Sequence, residues 1–136
     1  SAASDVYKRQ PFLLIDEVLE MEVGKRVVAR KYIKADDFWF KGHFPEKPVT
    51  PGVLMVEMLA QAGAVCILSQ PEFKGKIALF AGIDKAKFRR QVVPGDVLDL
   101  EVEIIAQRGP VGVGKAIASV DGKRAVTCEI KFAVEQ

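Results

Sequence analysis

The chain has 136 residues, 49% hydrophobic and 28% charged, a balance that fits one soluble globular domain with a sizeable core. Its 20 basic and 18 acidic residues leave a net charge of +2, too small to make nucleic acid the main partner. With a single histidine, His43, and two widely separated cysteines in apolar runs, Cys66 and Cys128, the sequence excludes a structural zinc site and predicts two buried free thiols.

Residues 1–10, SAASDVYKRQ, hold no apolar core of signal-peptide length, so the expectation is a cytoplasmic protein. The segment itself reads as an extraneous remnant or a disordered start, ahead of one domain over residues 11–136. FLLIDEVLEME (12–22) and RVVARKYI (26–33) read as two strands joined by a hairpin at Gly24-Lys25. Residues 36–52, DDFWFKGHFPEKPVTPG, cannot form regular structure, because Pro45, Pro48 and Pro51 remove donors and fix φ.

A helix is expected next, with Thr50 as N-cap, Pro51 at the first helical position and VLMVEMLAQAGAVCIL (53–68) as its body. Only Glu57 and Gln61 are strongly polar there. A helix apolar on nearly every side is either buried or crosses a membrane, and this one is short and interrupted for a span. It predicts a helix wrapped by the rest of the chain.

The wrapping comes from 76–90, 96–108, 111–122 and 123–135, which contain alternating β-rich stretches. Pro94-Gly95, Gly109-Pro110 and Asp121-Gly122 mark the turns. Short connections favour antiparallel neighbours, which makes the fold class α+β: a curled sheet around one central helix. GPVGVGKA (109–116) matches the skeleton of a phosphate-binding loop, but Ala116 stands where Ser or Thr is needed and a strand pattern follows instead of a helix. A glycine-rich hairpin explains it.

Chemistry concentrates between residues 42 and 61. A carboxylate on a core helix must be paired, protonated or solvated by a pocket, and Gln61, one turn after Glu57, can orient it. A purely structural Glu–Gln pair stands as the alternative. His43 lies on a proline-stiffened loop beside the helix start, which suits a general base. Gly52 and Val53 offer free amides there, and glycine lets a ligand approach. Base, acid and oxyanion donors this close together suit proton abstraction beside a carbonyl. Lys85, Lys87 and Arg89 alternate along an expected strand, so with Arg90 they form either a docking face for an acidic partner or a solvated basic edge.

PFLLIDEV (11–18), GHFPEKPVTPGVLMVEMLAQAG (42–63) and FAGIDKAKFRRQVVPGD (80–96) closely resemble, in order and spacing, the 3-hydroxyacyl-[acyl-carrier-protein] dehydratases of type II fatty-acid synthesis. The resemblance implies a hot-dog fold and reversible dehydration of 3-hydroxyacyl thioesters to trans-2-enoyl thioesters, without metal or organic cofactor. It implies His43 and Glu57 as the catalytic pair and the Gly52 amide as carbonyl-binding donor. Val53, Phe44 and Gln61 are the further substrate-binding candidates. Glu57 stands where the related dehydratase-isomerases carry Asp, which favours a plain dehydratase. The partners implied are an acyl carrier protein, docked by Lys85, Lys87, Arg89 and Arg90, and a second copy of the chain, since that family shares each site between protomers and forms trimers of dimers. No nucleic acid or membrane is expected. The rivals are a hot-dog thioesterase, which has no use for the His-Phe-Pro loop, and a non-catalytic acyl-thioester-binding module, which needs neither His43 nor Glu57.

Overall fold

A computed structural model describes residues 14–44 and 46–135; the expectation for residues 1–10 lies outside them. Six strands and one long helix follow the expected order: β1 (Glu17–Glu22), β2 (Arg26–Tyr32), α1 (Gly52–Leu68), β3 (Ala78–Phe88), β4 (Val97–Arg108), β5 (Val111–Val120) and β6 (Lys123–Val134). Two short 3-10 turns, Phe38–Lys41 and Pro71–Phe73, flank the helix region. The first is a departure from the wholly irregular segment expected over 36–52.

Every strand pairing is antiparallel, in the order β1-β2-β4-β5-β6-β3. After β2 the chain crosses through α1 to the far edge, lays down β3, and returns to insert β4 beside β2. Alternation assigns the faces. In β2, Val27, Ala29 and Lys31 point inward, and in β4, Leu98, Leu100 and Val102 do. α1 touches all six strands, and twelve of its residues are buried, as an all-round apolar helix requires. Gly63 lets it approach the sheet so closely that a Cβ there would collide with the ring of Phe132, itself 1% exposed.

Asp121 (φ +51) and Gly122 (φ +77) form the β5–β6 turn, the paired left-handed geometry of a two-residue hairpin. The 109–116 stretch is the β4–β5 turn and the start of β5, so no helix opens where phosphate would need one. Cys66 and Cys128 are free and buried, and burial pushes the Cys128 thiol up to about 11. Among the described residues, no helix is long and apolar enough to cross a membrane.

Lys31 is the exception on the inner face. Only 8% exposed, its ammonium lies 3.5 Å from Asp16, 3.9 Å from Asp37 and 5.9 Å from the centre of the Trp39 ring. That cluster ties the Phe38–Lys41 turn onto β2, and this turn is what delivers the chain to His43.

Candidate active site

The backbone amides of Gly42 and His43 both donate to the Trp39 carbonyl, at 3.3 and 3.1 Å. Beyond His43 the loop folds back, and the Val49 amide donates to the His43 carbonyl at 3.0 Å. The imidazole Nδ1 sits 2.9 Å from the Val49 carbonyl oxygen. A carbonyl can only accept, so the proton of the neutral ring belongs on Nδ1 and Nε2 is left with its lone pair. Phe44 stacks on the imidazole, centroids 4.2 Å apart and planes at 25°.

Thr50 does not cap the helix. Pro51 adopts an extended ψ of 134°, so the helix begins at Gly52 and Pro51 becomes the cap residue, its carbonyl accepting from Leu54 and Met55. Thr50 is then one residue too early to reach the helical amides. Its own amide donates to the Val92 carbonyl at 2.7 Å, and its buried hydroxyl has no partner among the described residues. No side chain caps α1, and the amides of Gly52 and Val53 precede the first intrahelical bond. Both residues line a cavity of about 570 Å³ together with His43, Phe88, Arg89 and Arg90. The structure thus joins three of the expected site residues, His43, Gly52 and Val53, to two of the four basic ones.

Glu57 lies elsewhere. It lines a separate depression of about 200 Å³ with Gln61, Ala64, Leu79, Phe80 and Phe132. Burial raises its carboxyl above the usual range, and a hydrogen bond from Gln61 opposes that shift. The bond is long, 3.5 Å from Gln61 Nε2. Gln61 is oriented by the Leu14 amide, which donates to its Oε1 at 2.8 Å and thereby turns the NH2 end toward Glu57.

The basic residues depart from simple alternation. Between Asp84 and Lys87 β3 carries a bulge, Lys85 takes φ +55, and Arg89 lies past the strand end with its amide on the Ala125 carbonyl. The bulged strand still gathers Lys85, Lys87 and Arg89 around one shallow depression with Lys115 and Arg124. Lys85 pairs there with Glu129 at 3.2 Å.

Three contributors escaped the sequence reading: the Val49 carbonyl, the Leu14 amide and Phe88. Backbone groups carry no residue signature. Phe88 sits in a strand pattern where alternation gives no hint that its ring meets a helix start.

The FabA-like domain family matches residues 7–129. The chain is 64% identical, over 93% of its own length and 89% of the relative's, to the 3-hydroxyacyl-[acyl-carrier-protein] dehydratase FabZ of Clostridium novyi (strain NT). It is 61% identical, over 93% and 87%, to that of Staphylococcus aureus (strain JH9). Among solved structures, the dehydratase heterocomplex ApeI:P of Xenorhabdus doucetiae aligns with a TM-score of 0.82 at 17% identity, over 98% of this chain and 91% of that one. A hypothetical thioesterase of Streptococcus pneumoniae aligns at 0.67 and 12%, over 88% and 84%. At 17% and 12% identity these two structures show the hot-dog fold alone.

Proposed function

The chain belongs to the FabA-like domain family, and we propose that it catalyses the reversible dehydration of 3-hydroxyacyl-[acyl-carrier-protein] thioesters to trans-2-enoyl thioesters in fatty-acid biosynthesis. One observation carries the reading: His43, its Nδ1 committed to the Val49 carbonyl, lines the same cavity as the uncapped amides of Gly52 and Val53. A base beside a carbonyl-binding helix start would also serve thioester hydrolysis; what favours dehydration is the 64% and 61% identity to 3-hydroxyacyl-[acyl-carrier-protein] dehydratases over 93% of the chain.

The thioester carbonyl accepts a hydrogen bond from the Gly52 amide. His43 Nε2 takes the C2 proton, and the electron pair develops on the carbonyl oxygen, where the amide and the positive end of α1 stabilise it. The pair then forms the C2=C3 bond as the C3–O bond breaks, and hydroxide leaves as water on a proton from Glu57. A carboxyl raised by burial holds that proton more readily than an exposed one. Exchange with solvent discharges His43 and reloads Glu57. No step calls for a metal or organic cofactor.

That His43 and Glu57 line different cavities of one chain supports a site that pairs His43 of one copy with Glu57 of another. β3 supplies the join. It ends the sheet with an unpaired edge and exposes Leu79, Phe80 and Ile83, a surface that invites a second copy. Trimers of dimers extend this pairing. Lys85, Lys87, Arg89 and Arg90 steer the acidic carrier protein to the mouth of the His43 cavity. The dehydratase domain spans residues 11–136 and works in the cytoplasm.

The test follows enoyl-thioester absorbance with short and carrier-linked substrates, for the wild type and folded His43→Ala and Glu57→Ala. Reversible hydration that is lost in both variants supports the assignment. A folded wild type that binds these thioesters without converting them overturns it in favour of a binding module.

A further inference from the structure

Phe88 ends β3 with 55% of its surface exposed, yet its ring is laid on the helix start. A Cβ added to Gly52 would stand 2.5 Å from both Cδ1 and Cε1 of that ring, where ordinary contacts begin at 3.4 Å. The Gly52 backbone is helical and has no positive φ, so conformation does not demand glycine there. Space does, and Phe88 fills it.

We propose that Phe88 is a selectivity and positioning residue: its ring forms the side wall of the carbonyl-binding corner, and Gly52 is a glycine in order to seat that ring. The inference rests on the reading of Gly52 as the thioester-carbonyl donor. A substituent next to the carbonyl carbon must share the corner with the ring, so the wall favours acyl groups unbranched at C2. Because Phe88 is half exposed, a Gly52 side chain displaces the ring at little cost to stability but upsets the corner. The adjoining Arg89 and Arg90 line the same cavity, so ring position also bears on how a substrate arm enters.

The experiment is a double-mutant cycle of Gly52→Ala and Phe88→Ala, read as kcat and KM on unbranched and 2-methyl-branched enoyl thioesters, with thermal midpoints measured alongside. G52A is expected to fold normally and lose about 10- to 100-fold in kcat/KM, the range that modest misplacement and pocket misfit command. F88A is expected to raise KM more than it lowers kcat and to weaken the preference for unbranched substrates about tenfold. The double variant should return to the level of F88A. If it stays as poor as G52A, the new methyl group obstructs the substrate itself and the proposal fails; unchanged branching preference in F88A refutes it equally. Ring displacement in a crystal structure of G52A gives a readout independent of turnover. A wild type inactive on thioesters would defeat the functional reading alone, whereas a Phe88 ring unmoved in G52A would defeat this one.

Discussion

Replacing Gln61 with Leu separates what that residue does for the fold from what it does for Glu57. Gln61 is 6% exposed, and its Oε1 accepts from the Leu14 amide at 2.8 Å. Leucine fills a similar volume but leaves this buried N–H without that acceptor, a loss of about 1–3 kcal/mol. Better burial of an apolar side chain offsets part of it, leaving about 1–2 kcal/mol, or a melting temperature lower by about 3–7 °C for a chain of this size. The same change removes the hydrogen bond that opposes the upward shift of Glu57. On the proposed mechanism Glu57 is the general acid and must be protonated, so a further rise extends activity toward higher pH. The basic limb of kcat/KM in Q61L is therefore expected to move up relative to wild type. A limb that stays fixed or moves down refutes the argument, and would mean that Gln61 serves packing alone.

The buried carboxyl also sets a pH dependence of stability. Burial raises Glu57 in the folded chain, so above the usual carboxylate range the folded state holds a proton that the unfolded chain has released, and stability falls as pH rises through that window. Glu57→Gln should be more stable than wild type at pH 8, with the gap closing by pH 4, as read by urea denaturation at both values. Gly63→Ala tests the helix–sheet approach. Its methyl meets Phe132, which is boxed in on the sheet side by Gly114, so overpacking outweighs the better helix propensity of Ala by about 1–2 kcal/mol. Phe132→Leu should recover most of the lost melting temperature in the double variant, and an unchanged midpoint in G63A would count against the packing account.

The fold was legible because its signals agree. Glycine and proline turns fell where strands end, alternation assigned the inner faces, and an apolar helix had nowhere to go but the centre. Thr50 was misread because composition marks a capping residue without fixing register, and the extended ψ of Pro51 moved the helix start by one position. The bulge in β3 leaves no trace in the alternation of charges and is revealed by the register shift after Asp84 and the left-handed φ of Lys85, yet Lys85, Lys87 and Arg89 still line one depression. For the site, residue types singled out His43, Gly52 and Glu57 as candidates, but the contacts that orient His43 and Gln61 come from the Val49 carbonyl and the Leu14 amide. Main-chain partners are invisible until the chain is folded.

The geometry of α1 bears on the proposal that each site is shared between two copies. Gly52 and Glu57 are five residues apart, which at about 100° per residue places them about 140° apart around the helix axis. The helix-start amides point along the axis past the N-terminus, whereas the Glu57 side chain leaves the helix sideways more than a turn further on, and the two line separate cavities. His43 lines the same cavity as Gly52, so on the proposed mechanism base and oxyanion donors come from one copy and the acid from another. Complementation tests this directly. Co-expressed His43→Ala and Glu57→Ala chains, each inactive alone, should pair at random into dimers. Half of these would be mixed, each with one intact site and one lacking both groups, so about a quarter of wild-type activity should return under two-fold symmetry. Recovery scaling with the fraction of mixed dimer, isolated by two affinity tags, supports the shared site. Mixed dimers as inactive as their parents would place base and acid on the same chain and refute the shared site.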